Sequence, residues 1–132
     1  MTAKSFLLDS HIIIWWLNND SRLPQKWRQV IANPDNFCYV SLATLWEITI
    51  KESLGKLSPP KNLISLIQRE GFAWLNITID HIQQLRQLPH IHKDPFDRLL
   101  AAQCLVENLT LITIDKNLLQ YPIKNLTVES HP

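Results

Sequence analysis

Short apolar runs of strand length alternate with stretches of helical spacing from one end of the chain to the other, and this alternation constrains the fold more than any other feature. Phe6-Leu7-Leu8 reads as a buried strand ending in Asp9-Ser10, and residues 12–17 as a helix. A short helix near 24–31 closes at the turn-forming Asn33-Pro34-Asp35-Asn36, and Phe37 to Val40 forms a second strand. Ser41 is placed to cap a helix that Gly55 stops, and Pro59-Pro60 precedes a helix ending near Gly71. Residues 74–77 read as a third strand, Thr78 as the cap of a helix reaching Leu88, residues 109–114 as the plainest strand, and 126–128 as a last edge strand. Strands joined through helices imply right-handed crossovers, hence a three-layer α/β/α sandwich around a central, mainly parallel sheet. Residues 1–132 are expected to form one domain, because no linker, repeat or low-complexity segment interrupts the pattern.

Composition narrows what such a domain can bind. A formal net charge of +1 across 132 residues, with no block of Lys or Arg, rules out polyanion binding by bulk charge, so a nucleic acid would have to be held by local contacts. Gly55 and Gly71 are the only glycines, too few for a phosphate-cradling loop or a dinucleotide fingerprint. Cys38 and Cys104 stand far apart, as reduced core thiols would. No apolar run approaches a membrane span or a signal segment, so no membrane association is expected and the cytoplasm is the expected compartment.

The chemistry is carried by acids. Asp94-Pro95-Phe96-Asp97 opens an almost wholly apolar helix, with Asp94 at the N-cap and Pro95 at the first helical position. Asp97 shares a stripe with Leu100, Ala101 and Cys104, which turns its carboxylate inward. Glu47 flanks the helix face made by Leu42, Leu45, Trp46 and Ile50, with Lys51 one turn on as a surface ion-pair partner. In a parallel sheet ligands bind beyond the carboxyl ends of the strands, where Asp9 and Asp115 stand, and the helices carrying Glu47 and Asp97 begin at that same edge. Oxygen anions without Cys or firmly placed His suit a hard divalent cation, Mg²⁺ or Mn²⁺, and phosphodiester hydrolysis.

At these residues the chain resembles the PIN-domain ribonucleases, of the kind found as VapC-type toxins of type II toxin–antitoxin pairs. The resemblance rests on Leu7-Leu8-Asp9-Ser10-His11, on Ser41 to Gly55 with Leu45-Trp46-Glu47-Ile48, on Asp94 to Gln103, and on Leu111 to Asp115. It implies a metal-dependent endoribonuclease whose catalytic and metal-binding acids are Asp9, Glu47, Asp97 and Asp115, with RNA as substrate. It also implies a cognate antitoxin protein that covers the acidic site, and homodimerisation through helical surfaces. Ser10 stands where many members have threonine and still offers a hydroxyl. Lys93, Arg98 and Lys116 flank the acids and are expected to hold substrate phosphates, since so negative a site would otherwise repel RNA. Asp94 is assigned first to capping and second to a pair with Arg98, and His92, with His90, to a loop near substrate.

Other readings compete. His90-Ile91-His92-Lys93-Asp94 matches the HxHxD start of binuclear zinc hydrolases, which would place the metal on His90 and His92. A catalytically inactive PIN-like binding module would keep the fold without needing all the acids. A phosphoacceptor receiver domain fits poorly, because Asp9 is followed by Ser10 and not by a second acid. Trp15 and Trp16, adjacent on one helix, are not expected to share a core, which leaves one for a partner.

Overall fold

The computed structural model describes residues 4–90 and 93–126. Among these residues five strands form one sheet: β1 (Ser5–Leu8), β2 (Phe37–Ser41), β3 (Ala73–Leu75), β4 (Thr110–Ile112) and β5 (Asn125–Leu126), in the order β3-β2-β1-β4-β5. All four pairings are parallel, with Phe6 opposite Cys38 on one side of β1 and opposite Thr110 on the other. The helices are α1 (Ser10–Leu17), α2 (Gln25–Ala32), α3 (Leu42–Ser53), α4 (Leu63–Arg69), α5 (Ile79–Gln84) and α6 (Pro95–Glu107). The chain steps outward from β1 to β3, then returns past β1 to β4, so the topological switch point lies between β1 and β4.

Strand alternation divides the core into two layers. Phe6, Leu8, Val40 and Ile112 point to one face and pack with Ile12, Ile13 and Trp15 of α1, Trp27 of α2, Ile48 of α3 and Ile67 of α4. Leu7 and Leu111 point to the other and pack with Leu100, Ala101 and Cys104 of α6. A sheet clothed on both faces by helices is the expected three-layer sandwich, and its strands read as continuous apolar runs for that reason.

Several expectations are corrected. Sequence spacing placed Leu42, Trp46 and Ile50 on the buried face of α3, yet Trp46 is 58% exposed and the buried residues are Ala43, Thr44, Glu47 and Ile48. Strand β2 passes into α3 with no intervening loop and Ser41 caps it through Ala43 N–H (3.0 Å), so the sheet sets the rotation of the helix and turns its narrow side inward. Both Trp15 and Trp16 belong to one core layer: Trp16 meets Phe72 and donates its indole N–H to Glu70 (2.6 Å). The helix after Thr78 gives way at Leu85 to a 3₁₀ turn, Leu85–Gln87. Strand β4 stops at Ile112, two residues short of the expected end, because Thr113 turns toward Asp9. The expected strand beyond Leu126, and His92, lie outside the described residues.

Candidate active site at the carboxyl edge of the sheet

The site begins where β1 becomes α1. Asp9 accepts from the Ser10 N–H (2.7 Å) as the cap of α1, and its backbone N–H continues the β1–β4 pairing to Ile112 O (3.1 Å). Its second oxygen accepts from the Thr113 hydroxyl at 2.6 Å. The same hydroxyl oxygen accepts from the Asp115 N–H (3.0 Å), and Asp115 Oδ1 in turn accepts from Asn117 N–H (2.9 Å). Thr113, 1% exposed, thus ties the ends of β1 and β4 together across the switch point.

Two helices aim further acids into this place. Glu47 comes from the second turn of α3 and receives the Lys51 ammonium at 3.1 Å. Asp94 caps α6, accepting from Phe96 N–H (2.9 Å) and Asp97 N–H (3.3 Å), and Asp97 follows on the first turn of the helix. Asp9, Glu47, Asp94, Asp97 and Asp115 line one cavity of about 220 Å³, with Ser10, His11, Lys51 and Ile114 completing the wall. Glu47, Asp94 and Asp97 each bring one carboxylate oxygen within 4.8 Å of the others.

Gathering acids here carries an electrostatic cost that shows in their protonation. Burial above all, with Asp94, Asp9 and Asp115 adding repulsion, pushes the Asp97 carboxyl up to about 8. Burial also raises Asp9, against the opposing hydrogen bonds from Thr113 and Ser10. It raises Glu47, against the opposing bond from Lys51. Buried carboxylates that lack enough positive charge make a cavity whose natural occupant is a cation. An all-oxygen donor set of this kind fits Mg²⁺ or Mn²⁺.

Residues 6–124 match the family described as PIN domain. The chain belongs to the PIN domain family. Solved structures agree on the fold. The PIN domain here is similar to a chain of VapBC2 from Rickettsia felis bound to a promoter DNA fragment, at 15% identity and a TM-score of 0.68, covering 92% of this chain and 97% of that one. DNA-bound VapBC from Salmonella typhimurium gives 18% and 0.67, covering 93% and 97%. VapBC-1 from nontypeable Haemophilus influenzae gives 19% and 0.62, covering 92% and 96%. No curated protein matches this chain.

Asp9, Glu47, Asp97, Asp115 and Ser10 meet at the cavity, and Asp94 joins them while serving as a cap. Arg98 is not part of the cavity wall. Its guanidinium donates to the carbonyls of Pro89 (3.0 Å) and Leu85 (3.2 Å) and approaches the Tyr121 hydroxyl (3.5 Å), so a strap holding the chain before α6 stands in place of the expected pair with Asp94. Lys93 and Lys116 are exposed and outside the cavity wall. Of the zinc reading, His90 is exposed and His92 lies outside the described residues; among the described residues the grouping of potential ligands holds carboxylates alone. Three contributors escaped sequence reasoning: Lys51, which reads as an ordinary surface pair; His11, whose signal is its place beside Ser10; and Thr113, a hydroxyl inside an apolar strand.

Proposed function

We propose that this PIN domain, taken as a single domain over residues 1–132, is a metal-dependent endoribonuclease acting in the cytoplasm as the toxin of a toxin–antitoxin pair. The observation that carries the reading is the convergence of Asp9, Glu47, Asp94, Asp97 and Asp115, drawn from four separate segments, on one cavity at the switch point. Separate capping and surface roles would not bring them together. Asp9, Glu47, Asp97 and Asp115, with Asp94 beside them, would hold Mg²⁺ or Mn²⁺. When bound, such an ion lowers the pKa of water and neutralises charge on a phosphodiester. Thr113 fixes the Asp9 carboxylate and the Asp115 backbone. Lys51 neutralises part of the Glu47 charge and stands in the cavity wall as the cation nearest the acids. Ser10 offers a hydroxyl beside Asp9.

The partner reading is supported by the similar structures, several of which are toxin–antitoxin complexes such as one from Klebsiella pneumoniae, 19% identical with a TM-score of 0.61. No helix among the described residues is long and apolar enough to cross a membrane. Purified protein freed of any partner should cut single-stranded RNA with Mg²⁺ or Mn²⁺ and stop in EDTA. Cleavage that persists in EDTA would exclude the metal-dependent mechanism, and no cleavage with either ion would exclude the nuclease.

The homodimer has its own support. Leu42, Trp46, Ile50 and Leu54 form an i+4 row on the outer side of α3, each at least 37% exposed, and the Trp46 ring stands edge-on to Phe96 at 5.0 Å. A second copy would bury this row. Ile50→Asp, which leaves the Trp46–Phe96 contact in place, is expected to convert a dimer to a monomer in sedimentation velocity; a wild-type monomer at micromolar concentration would remove the dimer.

A further inference from the structure

His11 stands on the first turn of α1, one residue from Ser10, in the wall of the acidic cavity, and is partly buried. Trp15 follows one helical turn later on the same face, and the two rings meet edge to face at 5.9 Å and 66°. The indole is 9% exposed, so it is a support and not a surface. Over it lies Arg22, its guanidinium carbon 5.1 Å from the ring centroid. Asp20 grips that guanidinium through Nε (3.1 Å) and Nη2 (2.7 Å), and its carboxylate also accepts from the Arg22 N–H (2.9 Å). The loop that carries them is fixed from behind by Arg28, which donates to Asn19 Oδ1 (3.0 Å) and Asp20 O (2.8 Å). The Arg22 side chain is nevertheless 69% exposed, and among the described residues its Nη1 makes no hydrogen bond.

One buried indole therefore sets both an aromatic ring at the lip of the cavity and a guanidinium beyond it. Neither placement is needed for the core, which the indole already fills from below. Planar aromatic faces and Arg guanidinium groups in sequence are what single-stranded nucleic acid binds, by base stacking and by phosphate contact. A duplex stacks its bases on each other and cannot offer a face to His11. The half-buried Asp20 carboxylate orients Arg22 through Nε and Nη2 and leaves Nη1 turned outward for a phosphate.

We propose, resting on the ribonuclease reading above, that His11 and Arg22 form a shelf for the nucleotide flanking the scissile phosphate, its base stacked on the His11 ring and its outer phosphate on the Arg22 guanidinium. The shelf gives the substrate strand a direction: it leaves the acids past His11 toward the loop before α2, where Arg22 stands. It also supplies the positive contact that the exposed Lys93 and Lys116 and the committed Arg98 do not bring to the cavity wall.

The test is fluorescence anisotropy with a labelled single-stranded RNA of about ten nucleotides, in Ca²⁺ so that binding is read without cleavage. His11→Ala is expected to weaken binding about tenfold and His11→Phe to retain it. Arg22→Ala is expected to weaken binding about fivefold and to lower the slope of log affinity against log salt by about one. The Arg22 variant should melt only slightly below wild type, since the exposed side chain gives up its Asp20 pair and its contact with Trp15 and nothing in the core. Wild-type affinity in His11→Ala and Arg22→Ala would overturn the shelf and leave the nuclease standing. Loss of binding in Arg22→Ala at an unchanged salt slope, or in His11→Phe as fully as in His11→Ala, would overturn it too, as would wild type that binds a duplex of equal length as well. Conversely, a shelf that binds as expected in a protein that cuts no RNA with Mg²⁺ or Mn²⁺ would refute the nuclease and keep the shelf.

Discussion

Asp97→Asn is expected to lower RNA cleavage by more than about a hundredfold while the metal-free protein melts at the same temperature as wild type or higher. The carboxyl sits among like charges in a buried place, and the amide keeps its shape without its charge. Function and stability therefore pull apart at this residue. The pH dependence follows with a definite sign. The Asp97 carboxyl titrates at about 8 in the folded chain against an ordinary value of 3.8, so the folded state holds a proton that the unfolded state has lost across that interval. The stabilising contribution is complete below the ordinary carboxylate value and is lost as pH rises toward 8. Metal-free wild type should accordingly melt at falling temperature between about pH 4 and 8, and Asp97→Asn should show a flatter profile. A variant that unfolds more readily than wild type at pH 8 would mean that Asp97 has a structural duty outweighing the repulsion.

Thr113→Val is the second large effect, and it separates positioning from ligation. Valine keeps the volume but deletes the donor to Asp9 Oδ2 and the acceptor for Asp115 N–H. Outer partners of metal-holding carboxylates are worth about 10- to 100-fold in activity or metal affinity, and a buried acceptor left without its bond costs about 1–3 kcal/mol. The variant should lose cleavage on that scale, lose some stability at neutral pH, and need more Mn²⁺ to reach half its residual rate. Thr113→Ser should recover most of both losses. If Thr113→Val cut RNA at the wild-type rate with the wild-type metal requirement, the hydroxyl would have no part in setting Asp9.

How far the sequence could be read depended on where the deciding interaction lay. The strand order of events was legible because a sheet covered on both faces must be apolar throughout, and Leu7-Leu8, Val40 and Leu111-Ile112 obey that rule. The switch point followed, and with it the meeting of Asp9 and Asp115. The face of α3 was not legible: Leu42, Trp46 and Ile50 give a better apolar stripe than Ala43, Thr44 and Ile48, and only the direct passage from β2 through Ser41 decides the rotation. That rotation is also why Glu47 is buried in the site and not on its flank. Arg98 misled because i+4 spacing from Asp94 cannot show that two backbone carbonyls stand nearer. Asp94 was read as a cap and is one, but capping and lining the cavity are compatible duties that the spacing alone could not separate.

If acids from separate segments form one divalent-cation site, calorimetric titration of the metal-free protein with Mn²⁺ will register it. Wild type should bind Mn²⁺ saturably with release of protons, because the raised carboxyls must ionise to receive it. Glu47→Gln and Asp97→Asn, variants on different helices, should each weaken the same binding event by at least about tenfold. Absence of Mn²⁺ binding to wild type, or wild-type affinity in both variants, would contradict the shared site.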